Sequence, residues 1–459
     1  MLSKDLFIRQ QIFYRSGQTL RFDFRRQGLE RLKTLIIKYE SELLEAIYQD
    51  LHKSKIESYT SEIGIVLNEI DHTLKHLKHW TRPVKRKTPW LDWPGKSLLY
   101  PEPKGLVLII GPWNYPFVLI MSPLIGALAA GNCAMLKPSE FAPHTGRALE
   151  KLIQECFPDE YCCVIQGDAG IAQQLIDNPW DHIFFTGSTS LGKLIMKSAA
   201  KHLSPVTLEL GGKNPCIVME DSDLSITSER IAWGKFLNAG QTCVAPDYLL
   251  VHRNIEDQFV TALKKIIHRF YGSDPQTSPD YARIINHRHF DRLISCLEDV
   301  KILFGGHHDR DDLYISPTLV SDIKSNERLM REEIFGPILP VLTFENIEEL
   351  IKDLQTKPKP LALYLFTKNR LWQEEVCARL SSGSLAINET ISQISNLNLP
   401  FGGVGESGMG AYHGRSSFDC FSHYKSVLIK GYHYHNKLRY PPYRMSLPQL
   451  KKIFKIIIK

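Results

Sequence analysis

The chain has 459 residues, a net charge of +6 and 43% hydrophobic residues. This length favours two globular domains with ample apolar content to bury. The nine cysteines include the adjacent Cys162 and Cys163, a pattern that suits free thiols in the cytoplasm better than a disulfide framework. The first 30 residues are charged throughout, and no apolar run approaches the roughly 20 residues of a bilayer span, so neither a signal peptide nor a membrane-spanning helix is predicted.

Short apolar runs and helical patterns alternate along most of the chain. Helical spacing predicts amphipathic helices over 29–51 and 61–80, and five prolines between Pro83 and Pro103 then predict an excursion from the main body. The following pattern predicts strands over 106–110, 133–137, 164–166, 183–186, 248–252, 362–366 and 384–388, and helices over 117–130, 144–157, 169–178, 256–271 and 372–380. Such alternation predicts an α/β fold with two parallel-sheet lobes, and ligands of such folds bind at the carboxyl ends of strands.

Cys243 is the candidate nucleophile. It follows a small-residue turn, Ala239-Gly240-Gln241-Thr242, which would let a substrate approach the thiol. On local sequence alone, a cysteine that merely packs in the core is the commoner case. Glu209, 34 residues upstream of Cys243, favours a catalytic cysteine instead, because its carboxylate comes just before a Gly-Gly turn. A thiol and a carboxylate, each beside glycine, indicate covalent catalysis assisted by a base.

A second candidate site is the turn around Gly187 and Ser188. It joins a strand to a helix start, a shape that suits a phosphate, although a simple tight turn is the structural alternative. A triphosphate-binding loop is disfavoured because residue 194 is Leu where Ser or Thr must hold magnesium, and the G-x-G-x-x-G fingerprint is absent. Lys137 and Glu140 follow another predicted strand, where both could reach ribose hydroxyls, so the set favours a dinucleotide.

Seven motifs then closely resemble the aldehyde dehydrogenase superfamily. In chain order they cover residues 111–116, 136–140, 185–188, 208–213, 240–243, 333–337 and 400–403. The short N-terminal segment, Ala245-Pro246-Asp247-Tyr248 and residues 439–443 are similar to its class 3, or fatty aldehyde, branch. The resemblance implies NAD(P)-dependent oxidation of medium-chain, long-chain or otherwise lipophilic aldehydes, of apocarotenoid or retinal type among them, to carboxylic acids. The alternatives are an acylating or reductive member of the family, and a catalytically silent scaffold at a membrane.

The resemblance also assigns roles to individual residues. Cys243 would form the thiohemiacetal and thioester, the Asn114 amide and the Cys243 N–H would hold the oxyanion, and Glu209 would activate water. The residues implied to bind the cofactor are Trp113, Lys137, Glu140, Gly187, Ser188, Leu210, Glu333 and Phe335. The carboxylate of Glu140 favours NAD, with NADP as the alternative. No metal is implied, because no ligand spacing such as C-x2-C or H-E-x-x-H occurs.

The same resemblance divides the chain into parts. The predicted NAD(P)-binding domain, Rossmann-like in character, covers residues 1–82 and 104–208, and the catalytic domain covers 209–395. A small β oligomerisation element is predicted at 83–103 and 396–430, and the short N-terminus suits a homodimer. Residues 431–459 form a basic tail.

The tail has a charge pattern of its own. Nine Lys and Arg residues follow Asp419 without any acid, which leaves a net charge of −3 on residues 1–419. No pattern of nucleic-acid binding accompanies them, so nucleic acid is not predicted as a partner. Leu450, Ile453, Phe454 and Ile457 would share one helical face, with lysines around the others. The tail pattern therefore predicts peripheral binding to an anionic membrane on its cytoplasmic face, and the alternatives are docking on the partner subunit or a frayed end.

Overall fold

The computed structural model describes residues 2–298, 300–323, 328–433, 435 and 437–457. Their helices, in chain order, are α1 Leu2–Arg15, α2 Phe22–Lys38, α3 Glu40–Leu51, α4 Lys55–Ser58, α5 Gly64–Trp80, α6 Val118–Ala130, α7 Pro143–Cys156, α8 Ala169–Ile176, α9 Thr189–Ala199, α10 Leu224–Phe236, α11 Glu256–Tyr271, α12 His287–Ile294, α13 Arg328–Arg331, α14 Ile347–Thr356, α15 Arg370–Arg379, α16 Arg415–Cys420 and α17 Leu447–Ile457. A π-helical turn, Tyr59–Ile63, joins α4 to α5.

The strands form two large and two small sheets. In chain order they are β1 Val84–Arg86, β2 Lys96–Pro103, β3 Leu106–Ile110, β4 Cys133–Lys137, β5 Cys162–Val164, β6 His182–Thr186, β7 Val206–Glu209, β8 Pro215–Val218, β9 Tyr248–His252, β10 Lys301–Phe304, β11 His308–Asp309, β12 Tyr314–Ile315, β13 Thr318–Ser321, β14 Ile338–Phe344, β15 Ala362–Phe366, β16 Ser384–Ile387, β17 Gly408–Met409 and β18 Ser422–Ile429. The two large sheets are mostly parallel and confirm the predicted α/β fold with two sheet lobes.

The six-stranded sheet has the order β17-β7-β6-β3-β4-β5. All its strands are parallel except β17, which pairs antiparallel with β7. Every residue of β3, β4 and β6 is buried, as expected for central strands covered by helices on both faces. Helix α6 packs there as an almost wholly buried helix and ends at Gly131, whose φ of +96° suits a glycine C-cap.

The seven-stranded sheet has the order β10-β13-β14-β9-β8-β15-β16, with only β10 antiparallel to its neighbour. The Pro-rich excursion forms β1 and β2, and β2 pairs along its whole length with β18 near the C-terminus. This three-stranded sheet contains parts of both segments of the predicted oligomerisation element, whereas β17, from the second segment, joins the six-stranded sheet. The division into domains stays a prediction.

Two predicted elements differ from the structure. The single helix over 29–51 is wrong, because Tyr39, with φ −95° and ψ 7°, ends α2 and the chain turns into α3. The strand over 164–166 lies two residues earlier, since the buried Cys162 and Cys163 supply its first pairs with β4. Most other predicted elements agree with the structure to within two or three residues.

Candidate active site

Neighbouring strands of the six-stranded sheet bring the predicted residues to one edge. Lys137 is the last residue of β4, Gly187 and Ser188 follow β6, and Glu209 is the last residue of β7. Strand β3 lies between β4 and β6 in this sheet, and Asn114 lies in the loop that joins β3 to helix α6. Because parallel strands end at the same edge, residues far apart in the chain converge there.

The loop before Cys243 has an unusual backbone. Asn238, Ala239 and Gly240, just after α10, have φ values of +52°, +50° and +75°. Gly240 is required there, because a Cβ at this position would lie 2.3 Å from the carbonyl oxygen of Gly336. A left-handed Ala or Asn typically costs about 1–3 kcal/mol, so contacts from elsewhere must hold this loop.

Two side-chain amides brace the peptide groups on either side of the thiol. Asn114 Nδ2 donates a hydrogen bond to the Gln241 carbonyl at 3.0 Å. Asn214 Nδ2 donates to the carbonyls of Cys243 at 2.8 Å and Ala245 at 3.0 Å. Asn114 therefore contacts the loop before Cys243. Its amide group has a second N–H beyond the one that donates to the Gln241 carbonyl.

Burial and negative charge act together on the thiol. Burial, and then the carboxyl groups of Glu333 and Glu209, raise the pKa of Cys243 to about 12. Both carboxylate oxygens of Glu209 are buried without a hydrogen-bond partner in the described structure, and burial raises the pKa of this group well above its usual range. Burial thus disfavours the charged form of both groups, and added positive charge or better solvation would favour ionisation of the thiol.

Glu333 and Phe335 each contact a loop that follows a strand of the six-stranded sheet. The Glu333 carboxyl lies over Gly211, where a Cβ would be 1.9 Å from Oε2. Burial, followed by Asp247, raises the pKa of Glu333 to about 8. Phe335 has a φ of +52° and meets the Trp113 ring edge-on, with centroids 5.3 Å apart. The Trp113 and Phe335 rings are therefore in contact, and Glu333 lies close enough to Cys243 to raise the pKa of its thiol.

Lys137 and Glu140 form a polar pair after β4, and Ser188 lies after β6 at the same edge of the sheet. The buried Lys137 Nζ donates to the Pro138 carbonyl at 2.6 Å and lies 3.9 Å from a Glu140 oxygen, and burial lowers its pKa. Ser188 caps α9 by accepting the Leu191 N–H at 3.4 Å. Leu210 packs over Gly192, where a Cβ would lie 2.7 Å from Leu210 Cδ2.

These groups fit a dinucleotide. The Ser188 hydroxyl and the start of α9 suit a pyrophosphate, because they present a donor and a positive dipole. The Lys137 ammonium suits a ribose hydroxyl, to whose oxygen it can donate. The carboxyl groups of Glu140 and Glu333 suit ribose hydroxyls, which donate to carboxylate oxygens. Gly187 keeps the turn narrow, since a Cβ there would lie 2.5 Å from the Phe185 ring.

A mostly apolar cavity of about 540 Å³ reaches Cys243. Its wall includes Tyr115, Leu119, Trp233, Phe270, Ile394, Phe401 and Tyr412. A second cavity of about 470 Å³ shares Trp233, Phe270 and Ser392 with the first. Cys243 therefore lines a mostly apolar cavity, and the second cavity beside it has a wall that also includes Glu229, Arg230 and Glu389.

Sequence reasoning missed several residues that shape this site. Asn214 braces the Cys243 carbonyl, Tyr115 bonds the Thr242 hydroxyl at 2.7 Å, and the Glu57 carboxylate accepts the Asn238 N–H at 2.9 Å. Tyr115 lies within the motif 111–116 and Asn214 directly follows the motif 208–213, and their polar side chains there were an available signal. Glu57 lies in no motif, and its contact with the loop spans 181 residues.

The family model for the aldehyde dehydrogenase family matches residues 14–427. The chain therefore belongs to the aldehyde dehydrogenase family, as its motifs predicted, and it is an oxidoreductase that uses NAD or NADP.

Three relatives are similar to this chain over nearly its whole length. A Staphylococcus aureus protein, 4,4'-diaponeurosporen-aldehyde dehydrogenase, is 48% identical over 98% of both chains. Mouse (Mus musculus) aldehyde dehydrogenase family 3 member A2 is 45% identical over 96% of this chain and 92% of its own length. The canine (Canis lupus familiaris) aldehyde dehydrogenase, dimeric NADP-preferring, is 44% identical over 95% and 96%. These matches confirm the resemblance to class 3.

A solved structure agrees with this placement. The substrate-bound state of Staphylococcus aureus AldH superposes with a TM-score of 0.96 at 47% identity, covering 98% of this chain and 99% of that one. The two chains therefore share the whole fold, both large sheets included.

Proposed function

We propose that this aldehyde dehydrogenase oxidises lipophilic aldehydes, of medium or long chain or of the apocarotenoid or retinal type, to carboxylic acids at Cys243. The apolar cavity that leads to the thiol carries this proposal, since its volume and wall suit a long hydrocarbon better than a small polar aldehyde. One relative is named for such a substrate, 4,4'-diaponeurosporen-aldehyde. The second cavity beyond Trp233 gives a longer chain room to extend outward.

Acylation is assigned to Cys243 and Asn114. The Cys243 thiolate adds to the aldehyde carbon, and the carbonyl oxygen becomes an oxyanion. The Asn114 amide and the Cys243 N–H donate to that oxyanion. Removing one such donor typically costs about 3–4 kcal/mol of barrier, so Asn114 should matter nearly as much as the nucleophile.

The cofactor is assigned to the polar groups at the strand ends. Lys137, Glu140 and Ser188 would hold its adenosine and pyrophosphate half, and Glu333, with Phe335 and Trp113, the nicotinamide half. Bound there, oxidised NAD or NADP supplies a positive charge and the acceptor for the hydride that leaves the thiohemiacetal carbon. Glu140 favours NAD over NADP, because its carboxylate repels a 2'-phosphate.

Deacylation is assigned to Glu209. Its carboxylate takes a proton from water, the hydroxide adds to the thioester carbon, and the thiol leaves with that proton. An acylating enzyme, which passes its thioester to another acceptor, would lose product to such a base. Glu209 therefore favours the hydrolytic reaction over the acylating and reductive alternatives.

The deciding experiment replaces the nucleophile. Cys243→Ser is expected to abolish aldehyde-dependent NADH formation while cofactor binding stays close to wild type, because the cofactor contacts lie elsewhere. Cys377→Ser, at an exposed cysteine of α15, is the matched control and should turn over normally. Wild-type turnover by Cys243→Ser would refute the assignment, and loss of turnover also separates an enzyme from a silent scaffold.

The substrate class is tested by a panel of aldehydes. We expect kcat/KM to rise from propanal to decanal and longer or polyene aldehydes, because each added methylene leaves water for the cavity wall. A flat profile, or a preference for short polar aldehydes, would contradict a lipophilic substrate.

We also propose that the protein is a homodimer through the three-stranded sheet β1-β2-β18. Large apolar side chains are exposed on and beside this sheet, among them Trp90, Trp93, Leu428 and Ile429, with Trp93 67% exposed. Contiguous exposed apolar side chains commonly mark protein–protein interfaces. Sedimentation at micromolar concentration should give a dimer, and a monomer at that concentration would exclude this assembly.

The C-terminal helix supports a membrane proposal. Among the described residues, no helix combines the length and the apolar content needed to cross a bilayer. Helix α17 instead exposes Leu450 and Phe454, by 41% and 37%, together with Lys451, Lys452 and Lys455. The side chain of Ile457, and Lys459, lie outside the described residues. We infer that the tail binds anionic membranes reversibly, with each lysine contributing about 1 kcal/mol near the surface.

Deletion of residues 447–459 tests this function of the tail. The truncated protein should no longer sediment with anionic vesicles at low salt, and it should lose efficiency on long aldehydes more than on propanal. The double variant Leu450→Glu/Phe454→Glu removes the apolar face but keeps the lysines, and it should behave like the truncation. Retained vesicle binding or an unchanged chain-length profile would instead favour docking on the partner subunit.

A further inference from the structure

The segment 53–62, from just before α4 through the π-helical turn, contacts both loops of the active site. Lys53 and Glu62 form a fully buried ion pair, with Nζ 2.6 Å from Oε1. The other oxygen of Glu62 accepts the N–H groups of Phe117 at 2.9 Å and Val118 at 3.3 Å. These two residues begin α6, directly after the loop that carries Asn114. Glu62 therefore anchors the Asn114 side of the site.

Glu57, in the same segment, anchors the other side. Its Oε1 accepts the N–H of Asn238, 2.9 Å away, at the start of the left-handed loop. Asn238 in turn donates its side-chain amide to the Asn114 carbonyl at 2.8 Å and to the Gln241 carbonyl at 3.2 Å. Glu57 thus accepts a hydrogen bond from Asn238, the residue that connects the Asn114 loop to the loop before Cys243.

The position of Glu57 is itself fixed from outside the loop. Ser54 caps α4 by accepting the Glu57 N–H at 3.2 Å, and the π-helical turn that follows leads directly to the buried Glu62. Glu57 also lines the substrate cavity, where Asp280 is another carboxylate. Glu57 therefore contacts the loop from a fixed position in the cavity wall, unlike a freely moving side chain on the surface.

We propose that Glu57 is a positioning residue for acylation: by accepting the Asn238 N–H it holds the Cys243 loop in register with the Asn114 amide. The inference rests on the roles proposed above for Cys243 and Asn114. Positioning predicts that the hydrogen-bond acceptor at residue 57 matters more than its charge. It also predicts a loss in the rate of the first hydride transfer for every aldehyde, because the loop serves them all.

Three variants separate the acceptor from the charge. Glu57→Gln keeps an acceptor of the same length without the charge, Glu57→Asp keeps the charge on a chain one methylene too short, and Glu57→Ala removes both. The rate of the NADH burst in rapid mixing with propanal and with decanal is the readout. We expect Glu57→Gln to stay within about threefold of wild type, and the other two to lose about 10- to 100-fold, as misplacement by about 1 Å can cost. KM should change little.

Controls distinguish this inference from the proposed function and from misfolding. Glu42→Gln, at an exposed carboxylate of α3, should match wild type. The melting temperature and the Kd for NADH of Glu57→Gln and Glu57→Asp should agree, so that a difference in burst rate reports loop position and not loss of fold.

A wild-type burst in Glu57→Ala and Glu57→Asp would overturn the inference, and so would a Glu57→Gln as slow as Glu57→Ala. A defect confined to one aldehyde would show a substrate contact and overturn it as well. Turnover by Cys243→Ser would refute the proposed function itself, whatever the variants at residue 57 do.

Discussion

Gly211 limits where the Glu333 carboxyl can lie, and this permits a quantitative test of the cofactor site. A Cβ on Gly211 would lie 1.9 Å from Oε2, 2.6 Å from Cδ and 2.7 Å from Oε1 of Glu333. Ordinary contact begins at 3.4 Å, so Gly211→Ala must displace the nearest oxygen by roughly 1.5 Å. A shift of that size exceeds what a hydrogen bond tolerates.

The expected loss follows from the bond that the carboxylate would make. A hydrogen bond to a charged group contributes about 1.5–3 kcal/mol, which corresponds to an increase of about 10- to 150-fold in Kd for NADH. Quenching of tryptophan fluorescence on NADH binding measures this Kd directly. Melting curves of the free protein check that Gly211→Ala folds.

A double-mutant cycle gives the decisive comparison. If the added methyl acts through Glu333, then Gly211→Ala in a Glu333→Ala background should weaken NADH binding no further, since there is no carboxylate left to displace. The reasoning is refuted if Gly211→Ala binds NADH like wild type, or if the two losses simply add.

Three further predictions concern the base, the cofactor preference and acid stability. Glu209→Gln should give one burst of NADH and then a trapped thioester, because only deacylation needs the base, and steady turnover without a burst would place the base elsewhere. Glu140→Gln should raise the ratio of kcat/KM for NADP over NAD about tenfold, since one charge beside the 2'-phosphate is removed, and an unchanged ratio would exclude this role. Burial lowers the pKa of His413 to about 4 from an ordinary 6.5, so the unfolded chain binds a proton first and stability falls between those pH values as the solution is acidified. Asn tolerates the φ of +79° at this position. Between pH 8 and pH 5, the free energy of unfolding of His413→Asn should therefore fall by about 2 kcal/mol less than that of wild type. Equal falls in melting temperature over this pH range would contradict this.

The strands were predictable where a short apolar run is bounded by turn residues. Leu106–Ile110, Cys133–Lys137, Tyr248–His252 and Ala362–Phe366 agree with the prediction to the residue. The helix over 29–51 was not, because its apolar spacing continues across Tyr39 although the backbone turns there. The spacing of apolar residues indicates which face of a helix is buried. It does not reveal a turn after which the apolar residues continue with the same spacing.

The three-stranded sheet had no local signal. Strand β2, Lys96–Pro103, contains two prolines and reads as a loop, yet it pairs with β18, Ser422–Ile429, more than 300 residues away. Pro is tolerated in a strand where its missing N–H is not needed by a neighbour. Only the partner strand, which the local sequence cannot identify, makes β2 a strand.

The residues proposed to act in the chemistry and the residues that hold them in place also differ in how far the sequence predicts them. Cys243, Glu209 and Asn114 stand in motifs, and the chemistry proposed for each is one that few residue types can perform. The left-handed residues Asn238, Ala239 and Gly240 are partly visible as a small-residue turn, but the strain in that turn must be balanced by contacts from other segments. Glu57, in the unremarkable sequence Lys-Ile-Glu-Ser, supplies such a contact. A carboxylate of this kind is identified by where the fold places it, which is why the variants at residue 57 test the structure more directly than variants in any motif.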